Sequence, residues 1–481
     1  MTRSRATRLG RAGLLLSLLL ATACAAVPDL GAKPMPAAAS DYASSRSLAA
    51  TAARWPVEGW WTKYDDAQLN GLIGEGIAGS PDLAAATARL RTAQGLAEQA
   101  GAALLPSLDA SASIADQNQS QNIAGRHGRV PSGWHDTGTA AFSLNFDLDL
   151  FGKNRAALRA ARKDAEGARF EAEESRLLLT TGIAAAYADL AALYAQRDSL
   201  GQALDIRQQT FRFVKARYDA GLETIDSVRQ AEARVPQTRG DLAATDEAIM
   251  LDKHALAALV GKGPDRALTI ERPKVALQSQ GIPADASTNL IGRRPDIAAA
   301  RTRVEAAGER IKEARAAFYP DFNIGALVGL QSLGLGSFFS SGSQFASVTP
   351  AVTLPLFHGG ALQGQYRGRR GQYDEAVATY DGQVIQALRE TADTVTSEKQ
   401  LAERLTQSRS ALADYEDALR VARGRYEQGL ATYLTVLTAE ESVVDGRLAV
   451  AHLENPGINQ HQQQVPARRG GVDSAIHPIL W

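Results

Sequence analysis

An internal duplication constrains this chain of 481 residues more than any other feature. Residues 217–224 read Arg-Tyr-Asp-Ala-Gly-Leu-Glu-Thr, and residues 425–432 read Arg-Tyr-Glu-Gln-Gly-Leu-Ala-Thr, a shift of 425 − 217 = 208 positions. The pairs Leu150-Phe151 and Leu356-Phe357 recur at a shift of 356 − 150 = 206. Repetition at one offset indicates repeated structural units. We therefore expect two halves, each with the same succession of elements.

Each half contains two segments in which apolar and small polar residues alternate, the pattern of amphipathic β-strands. The predicted strands cover about 107–117 and 139–150 in the first half, and about 321–331 and 345–356 in the second. Each is about ten residues long, which is enough to cross a bilayer when the strand is tilted. Strands of a soluble sandwich are the alternative. On the membrane interpretation, the polar residues Asp147 and Asp149 line a lumen.

Long helices are predicted for most of the remaining chain. From Gly152 to Tyr218 no proline interrupts the sequence, and a helix of that length would extend roughly 100 Å. Gly221 and Gly429 are expected to end the two long helices through a left-handed turn, and Thr224 and Thr432 to cap the helices that follow. The predicted order in each half is strand, strand, long helix, tight tip and returning helix.

Four membrane strands are too few to close a barrel, since the smallest membrane barrels have about eight, and open sheet edges are not tolerated in lipid. Copies of the chain must therefore share one barrel. Two copies would give eight strands, and three would give twelve. This arithmetic alone does not choose between two and three copies, but a conducting pore would favour three.

The N-terminus has the features of an exported lipoprotein. Residues 1–23 place arginines before an apolar run and end in small residues, as a signal peptide does. The only cysteine, Cys24, follows directly, and Ala21-Thr22-Ala23-Cys24 resembles a lipobox. Ala25 after it, rather than Asp, resembles the outer-membrane sorting pattern. We therefore expect a covalent lipid on Cys24 and a lipid-anchored extension over 24–60, held at the outer membrane by several acyl chains.

Other classes of function find little support. The 52 Lys and Arg residues balance 53 Asp and Glu residues, with no basic stripe for nucleic acid. The seven histidines show no metal-ligand spacing, and nucleophile, phosphate-loop and zinc-protease motifs are missing from the sequence. Beyond the signal there is no uncharged apolar run long enough for a transmembrane helix. We expect no catalysis, no metal and no cofactor other than the lipid.

The motifs together resemble the TolC-like outer-membrane factor family, in particular its lipidated efflux branch. The resemblance covers about Trp60 to Leu453 and rests on Asp149-Leu150-Phe151-Gly152-Lys153, Arg293-Arg294-Pro295-Asp296-Ile297, Phe318-Tyr319-Pro320 and the two Arg-Tyr-x-x-Gly-Leu-x-Thr tips. It implies a mainly α-helical chain with membrane β-strands, assembled as a homotrimer. A shared 12-stranded barrel would continue into a helical periplasmic tunnel. The implied partners are a periplasmic adaptor (membrane fusion) protein, an inner-membrane pump and outer-membrane lipid.

The resemblance also implies that the tips shut the tunnel and meet the adaptor. The candidate gating and docking residues are Arg217, Tyr218, Gly221, Asp226, Ser227, Arg425, Tyr426, Gly429 and Thr435. Helix-end packing is the alternative for the two Arg-Tyr pairs. The sequence Arg293-Arg294-Pro295-Asp296 is interpreted as a helix start rather than as a phosphate site.

These expectations divide the chain into a first repeat over 61–261 with its tip at 217–227, a connecting equatorial segment over 262–291, and a second repeat over 292–455 with its tip at 425–435. Asn455-Pro456-Gly457 interrupts the last helical pattern, so 456–481 is predicted to be an irregular tail. The expected function is a passive exit duct for small molecules such as drugs. A type I protein secretion duct and a trimeric coiled-coil surface protein are the alternatives.

Overall fold

The structure is a computed structural model that describes residues 27–38, 41–44, 46–48, 52–53, 59–118, 133–274, 282–283 and 294–454. The predictions for the signal peptide, for Cys24 and for the tail over 456–481 lie outside the described residues.

The four long strands form one antiparallel sheet. Two strands of only two residues, β1 (Ala52–Ala53) and β4 (Ile282–Pro283), pair in parallel elsewhere. The long strands are β2 (Ser107–Asn118), β3 (Trp134–Asp147), β5 (Asp321–Leu333) and β6 (Gln344–Thr353). Their order is β2-β3-β5-β6, so the first predicted strand pair lies beside the second.

The start of the first long helix explains why β3 ends at Asp147 and not at about 150. The alternating pattern continues past Asp147, but Asp149 adopts a left-handed backbone with φ 44° and is only 8 % exposed. Its carboxylate accepts hydrogen bonds from the backbone N–H groups of Asn154 (2.9 Å) and Arg155 (3.0 Å), as a helix cap does. Asp147 accepts a bond from the Asn154 amide at 2.8 Å. The prediction that Asp149 lines a lumen is therefore wrong, because this residue holds the beginning of a helix.

Both outer strands of the sheet are exposed. In β2 and β6 nearly every residue is exposed on both faces, including Ile114 at 74 % and Val348 at 73 %. Pro350 lies within β6, opposite Ile324, and proline is tolerated there because an edge strand can lack a backbone donor. Within the described chain, the outward edges of β2 and β6 have no further strand beside them.

Two helices of equal length follow the strand pairs. Helix α3 covers Lys153–Asp219 and helix α6 covers Ala361–Glu427, each with 67 residues. Their starts differ by 361 − 153 = 208 positions, the same shift that relates the two tips. The long uninterrupted helix expected after Gly152 is present, and so is its counterpart in the second half.

Shorter helices account for much of the rest of the described residues. They are α1 (Ala67–Gly79), α2 (Pro81–Ala102), α4 (Ile225–Leu259), α5 (Pro295–Ala316) and α7 (Tyr433–Glu454), with 3-10 turns at Trp60–Tyr64, Pro264–Thr269, Leu335–Ser337 and Ser341–Ser343. Helices α4 and α7 return from the tips.

The chain divides into two compact units. The first contains Met1–Pro36, Leu90–Gly167 and Ala300–Thr379, and it holds the four-stranded sheet. The second contains Ala37–Arg89, Ala168–Ala299 and Tyr380–Trp481, and it holds both tips.

The second unit has an apolar core in which α1 packs against α3. Leu69, Leu72 and Ile73 of α1 are fully buried with Ile183 and Leu190 of α3. One stretch of α3 has a mean hydropathy of 1.5, which would suit a membrane span by length and composition. However, 61 % of that stretch is buried within the chain. An apolar helix buried by its own chain is a core helix of a folded unit.

Helix α5 begins at Pro295 with Asp296 in its first turn, as the sequence predicted, and the buried ion pairs of the preceding Arg294 are a further finding. Arg294 is 1 % exposed and forms ion pairs with Asp296 (2.7 Å) and Glu390 (3.0 Å) directly before α5 begins at Pro295. Its charge is thus neutralised by two carboxylates of the same unit.

Candidate functional site

The two tips have the same backbone turn. In the first tip, the N–H of Leu222 donates to the carbonyl of Arg217 (2.8 Å), and the N–H of Gly221 donates to that of Tyr218 (2.9 Å). The second tip repeats this with Leu430 to Arg425 (2.8 Å) and Gly429 to Tyr426 (3.0 Å). This pair of bonds is the Schellman helix ending. The glycines have φ values of 73° and 76°, which explains why glycine occupies both positions.

The residues after each glycine begin the returning helix. The Thr224 hydroxyl accepts a hydrogen bond from the N–H of Ser227 at 3.3 Å and caps α4. In the second tip the N–H of Thr435 donates to the carbonyl of Thr432 at 3.1 Å, and the two threonine hydroxyls lie 3.4 Å apart. Ser227 and Thr435 thus take part in starting the helices that leave the tips.

A side-chain hydrogen bond connects the first tip to the second. The Tyr426 hydroxyl, on α6, donates to Oε2 of Glu223, which lies in the first turn. The other oxygen of Glu223 accepts from the backbone N–H of Thr224 at 3.0 Å. Both carboxylate oxygens are therefore engaged, and the carboxylate is fixed between the two tips.

Arg217 covers the ring of the same tyrosine. Its guanidinium carbon lies 4.8 Å from the Tyr426 ring centroid and 6.0 Å from that of Phe213. Phe213 and Tyr426 contact each other edge to face, with 5.8 Å between their centroids. A cation over an aromatic face at these distances is attracted by the ring. Arg217, Tyr426 and Glu223 thus form one cluster, which we call the tip lock.

The electrostatics of the tip lock favour an ionised Glu223 and a neutral Tyr426. Partial burial acts to raise the pKa of Glu223, but hydrogen bonds from Tyr426, Thr224 and Ser227 and the charge of Arg217 outweigh it, so the pKa is lowered. Burial and the adjacent Glu223 both raise the pKa of Tyr426. The pair therefore stays a phenol donor and a carboxylate acceptor at neutral pH.

Behind the tip lock lies a packed layer with a buried carboxylate. Val214, Val228, Leu419, Tyr433 and Val436 belong to its apolar cluster. Glu440, 3 % exposed, accepts hydrogen bonds from the Thr210 hydroxyl at 2.5 Å and from Arg423 at 2.8 Å. Burial, more than Glu440, raises the pKa of Tyr433 to about 12. Residues from all four helices of the two tips meet in this layer.

The structure brings together only some of the residues predicted for this site. Arg217 and Tyr426 belong to the tip lock, and Gly221 and Gly429 shape the turns. Tyr218 and Arg425 have exposed side chains. Asp226 is also exposed and accepts a bond from Gln230 in its own helix at 3.0 Å.

Sequence reasoning missed Glu223, Phe213, Thr210 and Glu440. One signal was available for Glu223, because the duplicated position in the second tip is Ala431. An acid in only one of two duplicated turns suggests a role that the turn itself does not require. Among the described residues, no group of three or more His, Cys, Asp or Glu could hold a metal ion.

Comparison with known proteins agrees with this architecture. The family model described as "Outer membrane efflux protein" matches residues 72–262 and 286–464. The fusaric acid resistance protein FusA of Burkholderia cepacia is 34 % identical over 373 residues, covering 74 % of this chain and 68 % of FusA. The multidrug resistance outer membrane protein MdtP of Escherichia coli O6:H1 is 29 % identical over 444 residues, covering 89 % of this chain and 88 % of MdtP.

A solved structure gives the same result for the fold. The outer membrane protein VceC of Vibrio cholerae superposes with a TM-score of 0.82 at 43 % identity, covering 87 % of this chain and all of VceC (100 %). The expected fold class, a mainly helical chain with strands for an outer-membrane channel, is confirmed. The chain belongs to the outer membrane efflux protein family and is an outer membrane efflux channel.

Proposed function

We propose that three copies of this chain form a passive duct for small molecules, closed at its periplasmic end by the tip lock. The observation that carries the proposal is the cluster of Arg217, Tyr426 and Glu223, which connects the ends of the two helix pairs. Separating the pairs requires that the Tyr426–Glu223 hydrogen bond break. A hydrogen bond to a charged group contributes about 1.5–3 kcal/mol, which is small enough to be overcome by a docking partner.

The exposed edges of the sheet support the trimer. Strands β2 and β6 end the four-stranded sheet, and their side chains are exposed on both faces. Three sheets joined edge to edge give twelve strands, wide enough for a lumen, whereas two would give a barrel filled by side chains. Exposed apolar residues such as Ile114 and Val348 would then face lipid.

The relatives support small molecules as cargo. FusA is named for fusaric acid resistance and MdtP for multidrug resistance. We propose organic compounds of this size for the present chain, delivered by an inner-membrane pump through a periplasmic adaptor. The transport step needs no catalysis and no cofactor. A lipid on Cys24 would tether the protein to the outer membrane.

Conductance measurements on the purified protein in planar bilayers test the proposal. The wild type is expected to conduct weakly and Tyr426→Phe strongly, because only the variant lacks the hydrogen bond to Glu223. Tyr218→Phe, an exposed tyrosine of the same motif in the first tip, serves as the matched control and should behave as wild type. Weak conductance of Tyr426→Phe in a correctly assembled trimer would contradict the closing role.

A further inference from the structure

We infer that a basic groove in the first unit binds a phosphate-bearing anion, either the headgroup of an anionic phospholipid or a soluble phosphate compound. The groove has a volume of about 580 Å³. It lies among the segment with Lys33 and Pro36, the beginning of α3, helix α5 and Tyr373 of α6. This inference goes beyond the channel function, and it does not depend on the tip lock.

The lining of the groove has a large excess of positive charge. Six of its residues are cationic and two are anionic, which gives 6 − 2 = 4 net positive charges. The cations are Lys33, Arg159, Arg162, Lys163, Arg301 and Lys312, and the anions are Glu305 and Glu309. A whole chain with a net charge of −1 does not produce such a concentration by composition alone.

Each of the two carboxylates in the groove already forms ion pairs with two cations. Glu309 pairs with Arg159 at 2.7 Å and with Lys312 at 2.5 Å. Glu305 pairs with Lys163 at 2.9 Å and with Arg301 at 3.3 Å. Each acid therefore neutralises part of two cations.

Lys33 and Arg162 are the two cations left over. Neither forms an ion pair with a carboxylate of the described chain. The ammonium of Lys33 instead lies 5.5 Å from the centroid of the Tyr373 ring. A phosphate has several acceptor oxygens that suit an ammonium and a guanidinium together.

The backbone around Lys33 is held in place. Arg370 donates to the carbonyl of Gly31 at 3.2 Å and also to the carbonyl of Ala32, and the Tyr373 hydroxyl donates to the carbonyl of Pro34 at 3.1 Å. These bonds on both sides of Lys33 fix the segment along α6. The lysine is thus positioned over the groove by contacts that do not involve its own ammonium group.

The titration of Lys33 agrees with an unneutralised groove. Burial, followed by the charges of Lys312 and Arg370, lowers its pKa, and Glu309 opposes this only in part. A bound anion would reverse the shift by favouring the ammonium form. Lys33 is therefore a reporter of occupancy as well as a ligand.

The test follows acylation of Lys33 by an amine-reactive reagent, measured by mass spectrometry on the full-length oligomer in lipid nanodiscs. One arm contains phosphatidylcholine alone, the second contains phosphatidylcholine with phosphatidylglycerol, and the third contains phosphatidylcholine with inorganic pyrophosphate in solution. Only the neutral amine reacts, so a rise of one pKa unit slows acylation about tenfold. The exposed Lys63 provides an internal control in each arm.

If acylation of Lys33, but not of Lys63, is slower only in the arm that contains phosphatidylglycerol, the groove binds a lipid headgroup. The same protection by pyrophosphate would assign it to a soluble phosphate compound. Acylation at equal rates in all three arms overturns the inference.

Arg162→Ala tests the second ligand and excludes a general effect of a charged membrane surface. The variant should need about tenfold more of the protecting anion, because one charge-assisted hydrogen bond is lost. Arg91→Ala removes an equal charge from an exposed position of α2, and it should leave the protection of Lys33 unchanged. Equal protection in Arg162→Ala and Arg91→Ala would overturn the site.

Discussion

The hydroxyl of Tyr426 donates a hydrogen bond to Glu223, 203 positions earlier in the chain, and so joins the ends of two duplicated helix pairs. The second tip has no equivalent hydrogen bond to the first, because the position equivalent to Glu223 is Ala431. The turns are therefore symmetric in backbone but asymmetric in their side-chain connection.

Glu223→Gln should open the duct by the same route as Tyr426→Phe. The amide keeps the size of the side chain but loses the charge that strengthens the hydrogen bond. We expect higher conductance in each single variant and little further increase in the double variant, since both remove one shared interaction. Bilayer conductance of the wild type and the three variants gives a double-mutant cycle. Fully additive effects would show that the two residues act separately.

The tip lock should also depend on pH in one direction. The folded pKa of Glu223 is lowered from its ordinary value of 4.5, so the lock is fully present above that value and is lost as pH falls through the folded pKa. Conductance should stay low from about pH 8 to about pH 5 and rise only below about pH 4.5. In Glu223→Gln this acid-dependent rise should be absent, and a rise of equal size would assign it to another group.

Neighbouring glutamates should differ in their effect on stability. Glu440 is buried and accepts bonds from Thr210 and Arg423, whereas Glu441 forms an ion pair with Arg234 that is partly open to solvent. Glu440→Ala should lower the free energy of unfolding by about 2 kcal/mol because charged hydrogen bonds are lost. Glu441→Ala should cost less than about 1 kcal/mol. Denaturant unfolding in detergent checks the order, and equal losses would contradict the burial argument.

The glycine of the second tip should be hard to replace, unlike a glycine in the helix before it. Gly429 has φ 76°, where a Cβ is strained, so Gly429→Ala should destabilise by about 1–2 kcal/mol. Gly424 lies inside α6 with open space around it, so Gly424→Ala should stabilise by about 0.5–1 kcal/mol. The same unfolding measurement distinguishes the two, and a stabilising Gly429→Ala would rule out the turn geometry.

Sequence alone was sufficient for features that depend on local periodicity. The strands followed from alternation, the long helices from the absence of proline, and the tip turns from Gly221 and Gly429. The tips' side-chain contacts depend on tertiary distance, which local patterns do not contain. Glu440 and its duplicated equivalent Glu232 are both glutamates, yet only Glu440 is buried, while Glu232 pairs with Arg229 on an exposed helix surface.

The same limit explains the error at Asp149. Its place in the alternating pattern was correct, but alternation does not reveal where the backbone leaves the sheet. That point is set at the start of α3, where backbone N–H groups have no partner within the helix and donate hydrogen bonds to the Asp149 carboxylate instead.

The two faces of β2 should respond differently to a charge. Ile114 lies near the middle of the strand, and its neighbour Ser113 points to the opposite face. If the apolar face contacts lipid, Ile114→Arg should cost about 2–4 kcal/mol and reduce the amount of assembled trimer in the outer membrane. Ser113→Arg, directed into the lumen, should assemble normally, as judged by native electrophoresis of membrane extracts. Because both variants add the same charge to adjacent positions, only the orientation of the sheet relative to lipid can separate them, and a reversed result would place the polar face outward.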